Sequence, residues 1–344
     1  NVLHLFPSEL TVRLTKPLYQ IAAGETLQPE ESANQNQKNA VIDQENNNYS
    51  PAEFRLSLTN PKTRTIRLLL TQVFDQHREN VRGIAMTLQD ITRETELNEA
   101  KSQFISNVSH ELRTPLFNIK SFIETLTEFG EDLSDTEKRE FLETANHETD
   151  RLTRLVNDVL DLSRLESSRN YNLDAIDIGQ LIEQTLRTYQ LNARDKGLEL
   201  SSEIEANLLP ILGHYDLLLQ VLTNLVGNSL KFTPAGGKVV IRAYKISRDN
   251  PQETPKIRVE VSDTGIGIDA EDQSAIFDRF YRVENRVHTL EGTGLGLSIV
   301  KNIIEKHYSQ IHLISEVGIG TTFWFDLDLY QGSIASKKIN DVSL

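Results

Sequence analysis

Between Arg93 and about Arg169 apolar residues recur every three to four positions, and a helical period sustained for that long admits few folds. Leu97, Phe104, Val108 and Leu112 share one stripe. After a break from Phe129 to Asp135, a second stripe runs through Phe141, Ala145, Leu152, Leu155, Val159 and Leu162. Ser134, followed three residues on by Glu137, has the form of a capping box at the start of the second helix. The spacing predicts two helices joined by a short loop. One such hairpin leaves apolar surface uncovered, so pairing of two copies into a four-helix bundle is the economical solution; packing of a monomeric hairpin on a neighbouring domain is the other.

The hairpin accounts for only part of 344 residues, a length that suggests about two or three domains. Before it, Phe54, Leu56 and Leu58, then Ile66, Leu68 and Leu70, alternate with polar residues, and Val81 to Ile91 adds a third apolar run, which predicts antiparallel strands. Gln28 to Ser50 is dominated by Asn, Gln and Glu and reads as a loop or disordered insertion. After the hairpin, helices are expected at Ile178–Lys196, Tyr215–Phe232 and Ser298–His307. Strands are expected at Leu198–Ile204, Lys238–Ala243, Ile257–Asp263, Gln310–Ser315 and Thr321–Leu327, with Pro251 and Pro255 in the turn between the two central strands. The expected organisation is a multidomain α+β chain: a small mixed domain over 1–92, the helical hairpin over 93–170, an α/β domain over 176–330 and a tail over 331–344.

Composition removes several functions. With no cysteine there are no disulfides, zinc thiolates or cysteine nucleophiles, which fits cytosol or stroma. The net charge of −14 disfavours general nucleic-acid binding, which rests on clustered Lys and Arg. No run approaches the roughly 18 apolar residues of a bilayer-spanning helix. The chain starts at Asn1 and its one methionine is Met86, so a further region upstream is expected, and with it any membrane attachment.

Four segments carry chemistry. In Phe104-Ile-Ser-Asn-Val-Ser-His110-Glu111-Leu112-Arg113-Thr114-Pro115-Leu116, Val108 and Leu112 turn to the seam, leaving His110 and Thr114 together on the outward face. An exposed histidine beside a carboxylate is a usable nucleophile, because Glu111 can hold one tautomer and accept its proton while the other nitrogen attacks phosphorus. Pro115 removes a helical N–H and should kink the helix just beyond. Such a histidine taken alone is usually only solvated. In Asp216 to Pro234, the residues Asn224, Asn228 and Lys231 lie at i, i+4 and i+7 on one polar face, while Leu222, Leu225 and Val226 face a core. Amides and a lysine suit Mg²⁺ and phosphate oxygens, although alone they equally suit a solvated face. Asp263-Thr-Gly265-Ile-Gly267 ends an apolar strand, where a carboxylate can accept from an adenine amino group and glycines permit close approach. An aspartic protease would need a second such aspartate, and none is present. Glu291-Gly292-Thr-Gly294-Leu-Gly296-Leu enters a helix as an anion cradle; its context fits neither a dinucleotide fold nor a P-loop.

The order and spacing of these segments resemble the sensor histidine kinase core over about residues 97 to 330. The resemblance implies that His110 is the phosphoacceptor, that Asn228 binds Mg²⁺, that Lys231 lies on the phosphates of ATP and that Asp263 binds adenine. It also implies that Ile276 to Arg282, including Phe280, is the aromatic box ahead of an ATP lid reaching Leu290. The domain over 176–330 resembles the Bergerat (GHKL) α/β sandwich shared with gyrase, mismatch-repair and chaperone ATPases, which lack the histidine segment. Phe117 departs from the small polar residue common at its place. Gly83 to Thr92 resembles the end of a PAS sensor domain, and the whole is similar to membrane-anchored sensor kinases of cyanobacteria and plastids. What this implies is a homodimer on the cytoplasmic or stromal face that phosphorylates His110 from ATP–Mg²⁺ and passes the group to a receiver-domain aspartate of a response regulator. Thr114 is then placed to orient a water for dephosphorylating that partner. The alternatives are a non-kinase scaffold or phosphatase of the same fold, and a Bergerat ATPase.

Overall fold

The computed structural model describes residues 52–58, 63–77, 81–167, 171–246, 254–283 and 292–331. The polar stretch at 28–50, Pro251, the lid up to Leu290, Glu291 and nearly all of the tail lie outside them. The chain forms two compact units, Asn1–Ile105 and Ser106–Leu344.

In the first unit, β1 (Ala52–Leu58), β2 (Arg64–Phe74) and β3 (Val81–Asp90) form an antiparallel sheet in that order, with Phe54 opposite Leu68 and Leu68 opposite Leu88. The alternation expected from sequence is realised, since Leu56, Leu68 and Leu70 are buried. A short turn leads into α1 (Thr92–Phe129), where the Asp90 carboxylate accepts from the Thr92 backbone N–H and hydroxyl, and Thr92 Oγ1 accepts from Thr65 N–H at 2.9 Å. Those bonds, the Thr92 hydroxyl foremost, hold the Asp90 carboxyl below its ordinary range. A PAS architecture needs more than these three strands, and nothing further of it is described.

In the second unit, α1 continues without interruption through Pro115, whose ring is buried, and returns as α2 (Asp135–Ser167). The capping box forms as expected: Ser134 N–H donates to Glu137 Oε2 at 2.8 Å and Glu137 N–H to Ser134 Oγ at 3.3 Å. Between the helices Phe122 meets Phe141 at 5.8 Å between ring centroids. Leu116, Phe117, Ile123, Leu142, Val156 and Leu160 remain exposed, an apolar surface that a single hairpin does not cover.

The rest of this unit is an α/β sandwich. A five-stranded sheet runs in the order β5 (Glu199–Ile204), β7 (Lys238–Ile246), β8 (Lys256–Asp263), β10 (Gly320–Asp328), β9 (His312–Glu316); the β5–β7 pair is parallel and the others antiparallel. The helices are α3 (Ile178–Asp195), α4 (Tyr215–Phe232) and α5 (Gly296–Lys306). Val239, Ile241, Val259, Val261, Phe323 and Phe325 point inward from the sheet, and Leu181, Leu222, Leu225, Ile299 and Ile303 from the helices; all are buried. Truncating Leu225 to alanine removes wholly buried methyls at a cost of about 2–5 kcal/mol. The opposite sheet face is polar, with Arg258 bonded to Asp326 at 2.7 and 3.0 Å and Tyr244 to Glu260 at 2.6 Å. Short strands β4 (Asp174–Ile176) and β6 (Ile211–Gly213) pair antiparallel; three-residue strands carry too little period to read from sequence. Among the described residues no helix is long and apolar enough to cross a membrane.

Candidate functional site

On α1, His110 and Thr114 are exposed on one face, as the helical spacing requires. Among the described residues the imidazole has no hydrogen-bond partner. Thr114 donates its hydroxyl to the His110 carbonyl at 3.3 Å, a long back-bond of the kind threonine makes within helices. Glu111 does not accompany the histidine outward. Neighbouring helical residues diverge by about 100°, and Glu111 turns into the hairpin seam, where its Oε2 accepts from Arg151 Nη2 at 3.1 Å. Asn118 and Glu148 complete this polar layer, with Asn118 Nδ2 donating to Glu148 Oε1 at 3.2 Å.

A second candidate site forms where α4, the end of β8 and the glycine loop, far apart in the amino-acid sequence, come together. On α4 the stripe of Asn224, Asn228 and Lys231 is half-buried, backed by buried Leu222, Leu225 and Val226. Asn224 Nδ2 reaches the Gly296 carbonyl at 3.4 Å, and a Cβ at Gly292 would stand 3.2 Å from Lys231 Nζ. The polar face of α4 and the glycine loop therefore lie side by side. Gly294 (φ +70°) faces Phe280, which has a left-handed backbone itself (φ +64°). A Cβ at Gly294 would come within 2.8 Å of Phe280 Cα, and Phe280 N–H donates to the Gly294 carbonyl at 2.9 Å. A phenylalanine in that conformation is costly and persists only where the surrounding structure holds it.

Asp263 ends β8, half-buried. Its Oδ1 accepts from the N–H groups of Gly265 at 2.9 Å and Thr321 at 3.2 Å, and its Oδ2 from the Ser229 hydroxyl at 2.8 Å. Burial raises its carboxyl above the ordinary aspartate range against the pull of those three bonds. A carboxylate offers about four acceptor positions; three are used, which leaves one on Oδ2 for an outside N–H such as the adenine amino group. Gly265 is confined by the protein itself, since a Cβ there would lie 2.8 Å from Asp263 Oδ1 and from the Phe232 carbonyl. Gly267 (φ +70°) would drive a Cβ to 2.0 Å from the Glu316 carbonyl. That second glycine serves packing against the β9–β10 turn. Among the described residues no group of three His, Cys, Asp or Glu could hold a metal ion. The half-buried Asn228 amide carries the kind of hard oxygen that Mg²⁺ can take alongside phosphate and water.

Ser229, Thr321, Arg151 and Glu148 escaped the sequence reading. Each left a signal. Ser229 sits on the core side of α4 between Val226 and Leu230, where a hydroxyl needs a partner. Glu148 occupies the seam register, spaced 3 and 4 residues from Ala145 and Leu152, where an apolar residue belongs.

Residues 100–168 match the His Kinase A (phospho-acceptor) domain, and residues 213–331 the histidine kinase-, DNA gyrase B- and HSP90-like ATPase. The chain is similar to drug sensory protein A of Synechocystis, 67% identical over 97% of this chain and 50% of that protein. It is also similar to the uncharacterised sensor-like histidine kinase ycf26 of Pyropia yezoensis, 58% identical over 80% of this chain and 43% of that one. The chain thus spans half or less of the length of these relatives. The crystal structure of histidine kinase ThkA in complex with response regulator protein TrrA superposes with a TM-score of 0.54 over 81% of this chain and 79% of that one, at 22% identity, a likeness of fold.

Proposed function

The chain belongs to the two-component sensor histidine kinases, of the type found in cyanobacteria and plastids, and from that membership we propose that it transfers the γ-phosphoryl group of ATP to His110 and from there to a response-regulator aspartate. The observation that carries the reading is the exposed, unpartnered His110 imidazole on the same chain as an α/β domain whose Asp263 keeps one acceptor position open. In the reaction, a ring nitrogen of His110 forms the bond to phosphorus, the bond to the bridging oxygen breaks with its electron pair leaving on ADP, and the proton of the other ring nitrogen passes to Glu111. Asp263 orients the base of the nucleotide; Asn228, Lys231 and the Gly292–Gly296 loop position the triphosphate. Mg²⁺, when bound, neutralises charge developing on the phosphoryl oxygens.

We infer a homodimer from the exposed Leu116, Phe117 and Ile123 on α1 and Leu142 and Val156 on α2, apolar surface that a second hairpin would cover. The cytoplasmic or stromal side of a membrane is the expected location, where ATP and receiver domains coexist. Thr114, beside His110, is assigned to a second activity, dephosphorylation of the regulator. Incubation with γ-labelled ATP tests the main reading. Acid-labile, base-stable label on the chain, lost in His110→Gln while nucleotide affinity persists, is expected; free phosphate with no labelled protein would indicate an ATPase instead.

A further inference from the structure

The polar layer in the hairpin seam contains one cation and two carboxylates. Arg151 Nη2 is 3.1 Å from Glu111 Oε2 and its Nη1 is 3.8 Å from Glu148 Oε2, with side-chain exposures of 13% for Arg151, 28% for Glu111 and 13% for Glu148. At 3.8 Å the second approach is an ion pair without a hydrogen bond, and Glu148 Oε2 is buried with no hydrogen-bond partner among the described residues. Leaving a buried carboxylate oxygen unsatisfied is unfavourable. Arg151 moved fully onto Glu148, three residues before it on the same helix, would satisfy that oxygen and release Glu111. A second arrangement, with Arg151 bonded to Glu148 by both terminal nitrogens and no longer to Glu111, is therefore open to the layer.

The two differ in where Glu111 can reach. Bound to Arg151, its carboxylate is drawn across the seam to α2, away from the exposed His110 ring. Released, it is the nearest carboxylate in sequence to that ring and free to take the ring proton.

We propose that Arg151 is a positioning residue for the phosphoryl transfer, withholding Glu111 from His110 when paired with it and releasing it by passing to Glu148. This deepens the kinase reading and rests on Glu111 as proton acceptor. The reaction is unchanged: phosphorus goes to one nitrogen of His110, the electron pair of the broken bond to ADP, the proton to Glu111. What Arg151 sets is the fraction of molecules whose Glu111 is available.

Opposite effects of two substitutions in one layer provide the test. Labelling of the whole chain with γ-labelled ATP at saturating concentration is expected to be faster in Arg151→Gln, by about threefold or more, and slower in Glu148→Gln by a similar factor, with the KM for ATP unchanged in both. A merely structural role would slow both variants. Slower labelling in both, or an Arg151→Gln rate at or below that of the unmodified chain, overturns the proposal. Should Arg151→Gln not fold, the near-isosteric Glu148→Gln decides alone: a rate equal to or above that of the unmodified chain overturns it. Glu111→Gln separates the premise from the inference, since undiminished labelling there removes the proton acceptor and the gate with it, while loss of labelling there combined with the opposite effects above supports both.

Discussion

The Thr293 hydroxyl, in the middle of the glycine loop, donates to Asp158 Oδ2 on α2 at 2.6 Å. The loop that lies beside Asn224 and Lys231 is thereby tied to the helical hairpin. Two further links lie along the same side of α2: Gln220 Nε2 of α4 donates to Asp161 at 2.7 Å, and Arg279 pairs with Glu166. Arg151, the level at which α2 reaches Glu111 beside His110, lies seven residues earlier than Asp158, about 10 Å at 1.5 Å per residue. In this arrangement the loop is docked about two helical turns from His110.

Burial first, and then the charge of Asp161, raises the Asp158 carboxyl above the usual range, while the Thr293 hydroxyl pulls it down. Removing the acceptor and removing only its charge should thus differ. Asp158→Ala loses a bond to a charged group, about 1–3 kcal/mol, whereas Asp158→Asn keeps an acceptor for Thr293 and ends the repulsion from Asp161. Urea unfolding at neutral pH should rank the asparagine variant clearly above the alanine one; equal losses would show that the bond contributes nothing.

Asp263→Asn should weaken nucleotide binding by roughly 1–3 kcal/mol, the range for a hydrogen bond to a charged group. With its oxygen on the N–H groups of Gly265 and Thr321, the asparagine would turn its N–H₂ to the place of Oδ2, where the Ser229 hydroxyl can rotate to accept but an outside N–H cannot. Calorimetric titration with a non-hydrolysable ATP analogue reads the change, with His110→Gln as the reference that should bind normally.

Thr114→Ala should retain self-labelling and lose dephosphorylation of a phosphorylated receiver domain. The hydroxyl is exposed and its 3.3 Å bond to the His110 carbonyl is weak enough to release. Both rates measured on the one variant decide the matter; a parallel fall would leave Thr114 only a helix-bonding residue.

Acid should destabilise the α/β domain through His307. The ring is 4% exposed, its Nε2 accepts from His214 N–H at 3.0 Å and its Nδ1 lies 2.7 Å from the Ile303 carbonyl. A proton added at Nε2 would meet a donor. Burial, chiefly, depresses the imidazole below its ordinary value, aided by His214. The unfolded chain then binds the proton more readily. This contribution is complete above a pH of about 6.5 and is lost as pH falls below it, with a slope of up to about 1.4 kcal/mol per pH unit. Unfolding curves from pH 7 to 5 should be steeper for the unmodified chain than for His307→Gln.

The periodic elements were legible in the residues themselves because local chemistry decides them. The Ser134–Glu137 box starts α2 where two polar side chains three residues apart say it should, and the Phe54–Leu70 alternation forms the sheet it implies. His110 and Thr114 share an exposed face by helical spacing alone, and Asn224, Asn228 and Lys231 share theirs on α4 for the same reason. Tertiary structure alone decided the partners. Asp263 is met by Ser229 from 34 residues away and by Thr321 from 58, and Thr293 meets Asp158 across 135. Glu111, adjacent to His110 in sequence, is bonded to Arg151, 40 residues on. Backbone preference and hydrophobic period act over a few residues and therefore leave their mark in the sequence, whereas a hydrogen bond between distant side chains depends on where packing places two whole elements, and only the folded chain determines that.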